Sequence, residues 1–207
     1  ALVIVQRFLI YLLRYNDNST NRFVDDYYLA SIINALAGTL IPIDSAGYST
    51  HADETYSPEE MELRAVAIQE VERLQVLDRL VPSYHNVVTI AALDFHQALV
   101  FANLRPLELV HFLEYTREGN FPPVRMAALN ALLLLRGLQH KVLTRYYFAI
   151  LASDEDHVIR MHLARSLCDA LAVAIATGEL GITRQRHEML QEGDPLGNVA
   201  EQEALLA

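Results

Sequence analysis

The chain has 207 residues and a formal net charge of −10, from 16 lysines and arginines against 26 aspartates and glutamates. That charge makes it a poor general binder of phosphate backbones, and a hydrophobic fraction of 52% excludes disorder for most of its length. The one cysteine, Cys168, cannot form an internal disulfide, which suits a reducing compartment, and no apolar run approaches the ~20 residues of a membrane span.

The first part of the chain predicts three helices. The apolar stretch Leu2–Tyr15 indicates a helix covered on more than one side, ended by a run of Asn, Asp, Ser and Thr. A second helix is predicted over 25–40, and the Pro-, Ser-, Gly- and Asp-rich stretch 41–57 predicts a loop insertion. The third helix has the clearest start, because Ser57-Pro58-Glu59-Glu60 combines an N-cap, a proline and the glutamate of a capping box. It is predicted to end at Leu80.

The remaining chain predicts five more helices. Prolines are tolerated in the first turn of a helix, so Pro106 and Pro122 mark two of the starts. The predicted spans are 83–102, 106–117, 122–136, 139–152 and 155–176. Ser153 or Asp154 is predicted to cap the last of them. No segment alternates in the way that a strand requires.

One apolar stripe recurs along these helices. After Val124-Arg125, alanines and leucines spaced three and four apart continue to Leu135, as on one face of an α-helix. The same pattern recurs 35 residues later around Arg160 and 36 residues earlier around Thr89. Periods of about 35 to 45 residues with helical stripes indicate stacked helix pairs. The sequence therefore predicts an all-α fold, a right-handed α-solenoid of HEAT-like helix pairs.

The predicted solenoid covers residues 1–177 with about four helix pairs, and 178–207 form a C-terminal extension or the start of a further repeat. The Val-Arg pair before the stripe resembles the second helix of HEAT repeats, which also place an Asp six residues before the Arg. Asp154 stands there for Arg160, whereas Gly119 stands there for Arg125. We expect Arg125, Asp154 and Arg160 to form a structural ladder, with Asp154 as the bridging carboxylate.

The groups that could carry chemistry favour structural roles. The closest histidine pair, His157 and His162, would lie ~140° apart on a helix, and the sequence has no His-Glu-x-x-His motif. Cys168 lies within an apolar helix, and the acidic run 153–156 stands at a helix start, where capping is the usual role. The tyrosine-rich stretches, Tyr27-Tyr28 among them, favour packing over stacking on bases. The sequence predicts no catalytic residue, no cofactor and no metal site.

Several phrases resemble one family. They are Leu13-Arg14-Tyr15-Asn16-Asp17-Asn18, Phe23-Val24-Asp25-Asp26-Tyr27-Tyr28, Ile33-Asn34-Ala35-Leu36-Ala37, Leu80-Val81-Pro82-Ser83-Tyr84 and Val124-Arg125-Met126-Ala127-Ala128-Leu129. In this order they are similar to the HEAT-like region of subunit 2 of transcription factor TFIID, a TBP-associated factor. The resemblance covers about Leu9 to Ala172.

This resemblance implies an aminopeptidase-like half upstream in a longer parent protein, followed by this solenoid. It implies a nuclear, non-catalytic scaffold of the RNA polymerase II preinitiation complex that holds other TFIID subunits, notably subunit 8. Promoter DNA would be contacted only through other parts of the parent chain. An alternative is the C-terminal helical domain of an active M1-type zinc aminopeptidase, and a third hypothesis is a cargo-binding solenoid of nuclear transport.

The turn after the first helix is the predicted partner-binding site. It comprises Tyr15, Asn16, Asp17 and Asn18, with Tyr27 and Tyr28 nearby. Tyrosines give large amphipathic contacts that favour interfaces, and the polar side chains can bond the backbone of an extended segment. The alternative is that the Asn and Asp residues only shape the turn.

Overall fold

The computed structural model describes residues 2–16, 25–41, 57–136, 138 and 140–176. Within them lie eight α-helices and one 3-10 turn, Tyr84–Asn86, and no strand. The helices are α1 (Leu2–Tyr15), α2 (Asp26–Leu40), α3 (Pro58–Leu80), α4 (Val87–Phe101), α5 (Leu109–Thr116), α6 (Pro122–Arg136), α7 (Lys141–Ser153) and α8 (His157–Ala176). Residues 42–56 of the predicted loop insertion 41–57, and the predicted extension 178–207, lie outside the described residues.

The start of α3 follows the predicted chemistry. The Ser57 hydroxyl accepts a hydrogen bond from the Glu60 amide at 3.2 Å, and the Glu60 carboxylate accepts one from the Ser57 amide at 2.9 Å. Each side chain thereby satisfies one of the amides that a helix start leaves unpaired. The hydrogen bond from the Ser57 amide holds the pKa of the Glu60 carboxyl below its ordinary value.

Four helix starts lie two or more residues from the predicted positions. The chain enters α4 through the 3-10 turn, α5 begins at Leu109 rather than Pro106, and α7 begins at Lys141 rather than at 139. The last helix begins at His157 and is capped by Asp156, whose carboxylate accepts from the Val158 amide at 2.8 Å. Ser153 and Asp154 do not cap α8. Asp154 ends α7 and is buried against Arg125 instead.

Hydrogen bonds at the start of α4 explain why the sequence pattern alone predicts this start at the wrong residue. Asp78, near the end of α3, is buried and accepts hydrogen bonds from the Ser83 amide at 2.6 Å and from the Thr89 amide at 3.0 Å. The Thr89 hydroxyl donates to the same carboxylate. The cap of α4 thus comes from the preceding helix, which leaves the residues between them as a tight turn.

Consecutive helices form stacked pairs. Helix α2 contacts α4 and α4 contacts α6, while α1 packs on α2 and α3, and α5 packs on α6. Hydrogen bonds continue the pattern: Thr116 in α5 bonds Tyr146 in α7, and Asn130 in α6 bonds His162 in α8. The prediction of an all-α solenoid of helix pairs is confirmed, and its right-handed sense and the boundary at 177 stay predictions. The chain divides into two compact units, Ala1–Ser166 and Leu167–Ala207.

The predicted stripes form much of the core. Leu36 in α2, Ala92 in α4, Ala128 in α6 and Leu163 in α8 are fully buried. The small alanines let the stacked helices approach closely, and each fully buried leucine contributes roughly 1.5–3 kcal/mol. Leu135, at the end of the α6 stripe, is only half-buried.

Candidate partner-binding surface

Arg125, Asp154 and Arg160 come together inside the helix stack. The Arg125 Nη1 donates to Asp154 Oδ1 at 3.3 Å, its Nη2 donates to Oδ2, and its Nε donates to the Thr116 carbonyl at 3.0 Å. The Arg160 Nη1 donates to the main-chain carbonyl of Asp154 at 2.7 Å, not to the carboxylate. Arg125 therefore ties the end of α5 to the turn between α7 and α8.

Both members of the Arg125–Asp154 pair are buried, with side-chain exposures of 6% and 3%. Hydrogen bonds from Arg125 hold the pKa of the Asp154 carboxyl below its ordinary value, against the opposing effect of burial. An open cleft beside the pair has a volume of about 400 Å³ and is lined by Thr116, Tyr146 and Ser153 among others. Because the Arg125 guanidinium is already occupied, the pair has the geometry of a structural tie.

The predicted partner-binding residues that the structure describes fall into two separate places, the end of α1 and the start of α2. Tyr15 is 64% exposed at the end of α1, and its ring lies 4.8 Å from that of Tyr11. Tyr27 and Tyr28 are exposed at the start of α2, so the packing interpretation is wrong for them. Asn16 is half-buried beside Tyr15. Asp17 and Asn18 lie outside the described residues.

Tyr27 belongs to a row of rings that joins three helix starts. Its ring centroid lies 6.4 Å from that of Tyr84, which stacks at 3.9 Å on His85, which lies 5.7 Å from Phe121. We call these four residues the aromatic edge. All four side chains are exposed. Sequence pattern missed three of them, although each precedes the second helix of a pair.

The aromatic edge is held in place from both sides. His85 and Asn86 have φ angles of 54° and 52°, which non-glycine residues rarely adopt and which cost on the order of 1–3 kcal/mol each. Asp26 at the start of α2 accepts the Tyr84 amide at 2.9 Å, and Asp78 accepts the neighbouring Ser83 amide. These bonds fix the turn that carries the two central rings.

A second exposed apolar surface lies on the outer face of α1. Ile4, Phe8, Tyr11 and Tyr15 follow one another at helical spacing and are all more than half exposed. We call them the α1 outer stripe. The opposite face of the helix is buried, and there the side-chain Nε2 of Gln6 donates to the Thr39 carbonyl at 2.7 Å.

The end of α1 is fixed to α3 by a charged cluster. Glu70 is 7% exposed and accepts hydrogen bonds from Arg14 at 2.6 and 2.8 Å and from Arg73 at 2.9 Å. Burial alone would raise the pKa of Glu70, but the bonds from Arg73 and Arg14 outweigh it and lower the pKa. Tyr15 therefore projects from a helix end whose position is fixed.

Histidines in the middle of the stack are neutral structural groups. His96 is buried, and its Nδ1 lies 2.7 Å from the Arg105 guanidinium, an arrangement in which the ring nitrogen must accept. Burial, together with the electrostatic effects of Arg105 and His111, lowers the pKa of His96 to about 3. Burial also lowers the pKa of His111, whose ring lies 4.8 Å from that of His96.

The described part of the chain brings no three His, Cys, Asp or Glu side chains together as metal ligands would be. Cys168 is exposed there, not packed in the core. Among the helices that the structure describes, none has the length and apolarity to cross a membrane.

Comparison with known proteins identifies similar chains. A family model described as TAF2-like, TPR repeats matches residues 3–185. The Schizosaccharomyces pombe protein named transcription initiation factor TFIID subunit 2 is 34% identical over 181 residues, which cover 84% of this chain and 14% of that protein.

Two animal proteins of the same name are also similar. The Gallus gallus protein is 32% identical over 127 residues, or 61% of this chain and 10% of its own length. The Drosophila melanogaster protein is 29% identical over 173 residues, or 80% of this chain and 13% of its own length. The chain thus spans 10% to 14% of these three relatives. The family description names TPR repeats rather than HEAT repeats, and both are stacked helix pairs.

Proposed function

The chain belongs to the family of TAF2-like TPR repeats, and from this premise we propose that it is a non-catalytic scaffold segment of a TFIID subunit. In this proposal the helix stack holds other TFIID subunits, notably subunit 8, during promoter recognition and preinitiation complex assembly for RNA polymerase II. It acts in the nucleus, and promoter DNA is contacted through other parts of the parent chain.

The exposed aromatic edge is the observation that carries the scaffold proposal. A monomeric protein gains little from four exposed rings, two of which lie on a strained, hydrogen-bonded turn, whereas Tyr-rich surfaces are enriched at protein interfaces. Tyr27, which the sequence placed in the partner-binding site, belongs to this edge, and Tyr28 is exposed beside it. Tyr15 and Asn16 form a second part of the proposed surface.

The names of the relatives bear on the alternatives. The similar proteins described above are each named as a TFIID subunit. None of those three names describes an aminopeptidase or a nuclear-transport factor. These names favour the scaffold over both alternatives. The formal charge of −10 further supports weak binding of duplex DNA by this chain alone.

A capture experiment tests the proposal. The 207-residue chain is immobilised and exposed separately to each purified TFIID subunit. Two variants are compared with the unaltered chain: a Tyr15→Ala, Asn16→Ala double variant and a Tyr27→Ala, Tyr28→Ala double variant. Phe148→Ala is the matched control, because Phe148 is 59% exposed on α7.

We expect the unaltered chain and the Phe148→Ala control to capture at least one subunit, and one or both double variants to lose that capture while keeping the same helical circular dichroism. Full capture by both double variants would refute the assignment of these residues. Failure of the unaltered chain to capture any subunit would refute the scaffold function.

A further inference from the structure

The aromatic edge repeats with the helix pairs. Tyr27 is the second residue of α2, Tyr84 and His85 form the turn before α4, and Phe121 directly precedes α6. His157 occupies the corresponding place as the exposed first residue of α8. A surface that offers an aromatic ring at each successive repeat suits a ligand that is itself extended.

The ring spacing agrees with such a ligand. Tyr27 and Tyr84 are 6.4 Å apart, and His85 and Phe121 are 5.7 Å apart. In an extended polypeptide each residue advances the chain by ~3.3 Å, and alternate side chains point the same way about 6.6 Å apart. The spacing of alternate side chains therefore fits the step from Tyr27 to Tyr84 and the step from His85 to Phe121, whereas Tyr84 and His85, stacked at 3.9 Å, act as one position.

The charge beside the rings favours a ligand with basic side chains. Exposed carboxylates stand at three of these helix starts: Asp25 beside Tyr27, Glu118 ahead of Phe121, and Glu155 ahead of His157. In the described residues of these starts, 25–28, 83–88, 117–124 and 154–158, the exposed guanidinium is that of Arg117. The chain as a whole carries −10. This field attracts a basic ligand and repels a phosphate backbone.

Building on the scaffold function proposed above, we propose that the aromatic edge binds an extended, arginine-bearing segment of a partner polypeptide. Guanidinium planes lie on the rings of Tyr27 and Tyr84 and, beyond the stacked His85, on the ring of Phe121, and they pair with the flanking carboxylates of Asp25 and Glu118. Arginine fits better than lysine because its planar group stacks on an aromatic face and still donates to a carboxylate.

The fixed turn favours this binding. The Tyr84 amide is held by Asp26, and the two left-handed residues that follow keep the His85 ring stacked on Tyr84. The rings of Tyr84 and His85 are thus ordered before the ligand arrives, so that binding loses less conformational freedom on the side of this chain.

The test uses fluorescent peptides of about eight residues, long enough at ~3.3 Å per residue to span the edge. One alternates Arg with Ser, a second alternates Lys with Ser, and a third alternates Glu with Ser. Binding to the 207-residue chain is measured by fluorescence anisotropy. The variants are Tyr84→Ala, Tyr84→Phe, and Asp25→Asn with Glu118→Gln, and the control is Phe101→Ala, which removes an exposed ring at the end of α4.

We expect the arginine peptide to bind more tightly than the lysine peptide and the glutamate peptide not to bind. Tyr84→Ala should weaken the arginine peptide roughly two- to fivefold, the effect of one exposed cation–π contact. Tyr84→Phe and Phe101→Ala should leave binding unchanged, and the carboxylate variant should weaken it and reduce its salt dependence.

Equal binding of the arginine peptide to the unaltered chain and to Tyr84→Ala would overturn the proposal, as would tighter binding of a single-stranded oligonucleotide than of the arginine peptide.

These results differ from a failure of the scaffold function. If TFIID subunits are captured equally by the unaltered chain and Tyr84→Ala, this edge chemistry is refuted and the scaffold survives. If the arginine peptide binds at the edge but no subunit is captured, the edge survives and the scaffold is refuted.

Discussion

Two charged clusters tie the helix stack together, and they differ in how much water reaches them. In the first repeat Glu70 is buried, but its partners Arg14 and Arg73 remain 43% and 47% exposed. Between α5 and α8 both Asp154 and Arg125 are buried, and the Arg125 guanidinium also bonds the Thr116 carbonyl. The same pairing chemistry thus serves at the surface in one region and in the interior in the other.

This difference decides what each cluster contributes. An ion pair with an exposed member is partly screened by water and is usually worth little. A buried pair gains little over apolar packing, but removal of one partner strands a charge in a medium of low polarity. Substitution in the interior pair should therefore lower the free energy of unfolding more than substitution in the surface cluster, which fixes the end of α1.

The largest expected effect comes from breaking the interior pair. Asp154→Ala leaves the Arg125 guanidinium buried without its carboxylate and should lower the free energy of unfolding by ~3–5 kcal/mol. Chemical denaturation followed by circular dichroism measures the loss. Glu155→Ala, at the exposed neighbouring position, is the control and should stay within ~0.5 kcal/mol. An unchanged midpoint for Asp154→Ala would contradict the structural tie.

The next effect should come from acid, through the buried His96. The pKa of His96 is lowered from 6.5 to about 3, so the unfolded chain binds its proton at higher pH than the folded chain does. Stability should therefore fall as pH drops from 6.5 toward about 3, with a slope of up to about 1.4 kcal/mol per pH unit from this group. The lowered pKa values of Asp154 and Glu70 add a further loss at lower pH.

A variant isolates the histidine contribution. His96→Gln keeps a polar side chain beside Arg105 but removes the titration. Its free energy of unfolding should be lower at neutral pH and should depend less on pH below 6.5 than that of the unaltered chain. An identical pH slope in both proteins would show that His96 is not the group responsible.

The surface cluster should give a smaller effect. Glu70→Gln removes the charge while both arginines can turn to water, so we expect a loss of about 1 kcal/mol. The loss should shrink at high salt, whereas that of Asp154→Ala should not, because buried charges are screened less. A Glu70→Gln cost equal to that of Asp154→Ala would remove the distinction between the two regions.

How much the sequence could predict follows from the range of each interaction. The helix α1 and the capping box at Ser57 depend on neighbours within a few residues, and the sequence predicts both at the observed positions. The cap of α4 comes from Asp78, eleven residues before Thr89, so a local pattern could not show it. The aromatic edge joins positions as distant as Tyr27 and Phe121, and only the stacking of α2, α4 and α6 brings them together.

The smallest expected change in stability belongs to the aromatic edge. Tyr84→Ala removes a ring that is 63% exposed and should change the free energy of unfolding by no more than ~0.5 kcal/mol. Thermal denaturation beside Asp154→Ala gives the comparison directly. A Tyr84→Ala chain as unstable as Asp154→Ala would show that the edge is part of the core.

The most direct test of the scaffold account is a site-specific crosslink in an assembled complex. Phe121 is replaced by a photo-crosslinking phenylalanine analogue in the parent subunit, and the same analogue at Phe148 is the control. The account predicts that light joins the chain at Phe121 to another TFIID subunit, in an arginine-containing segment, while Phe148 gives less of that product. Crosslinks from Phe121 only to its own chain, or to DNA, would contradict it.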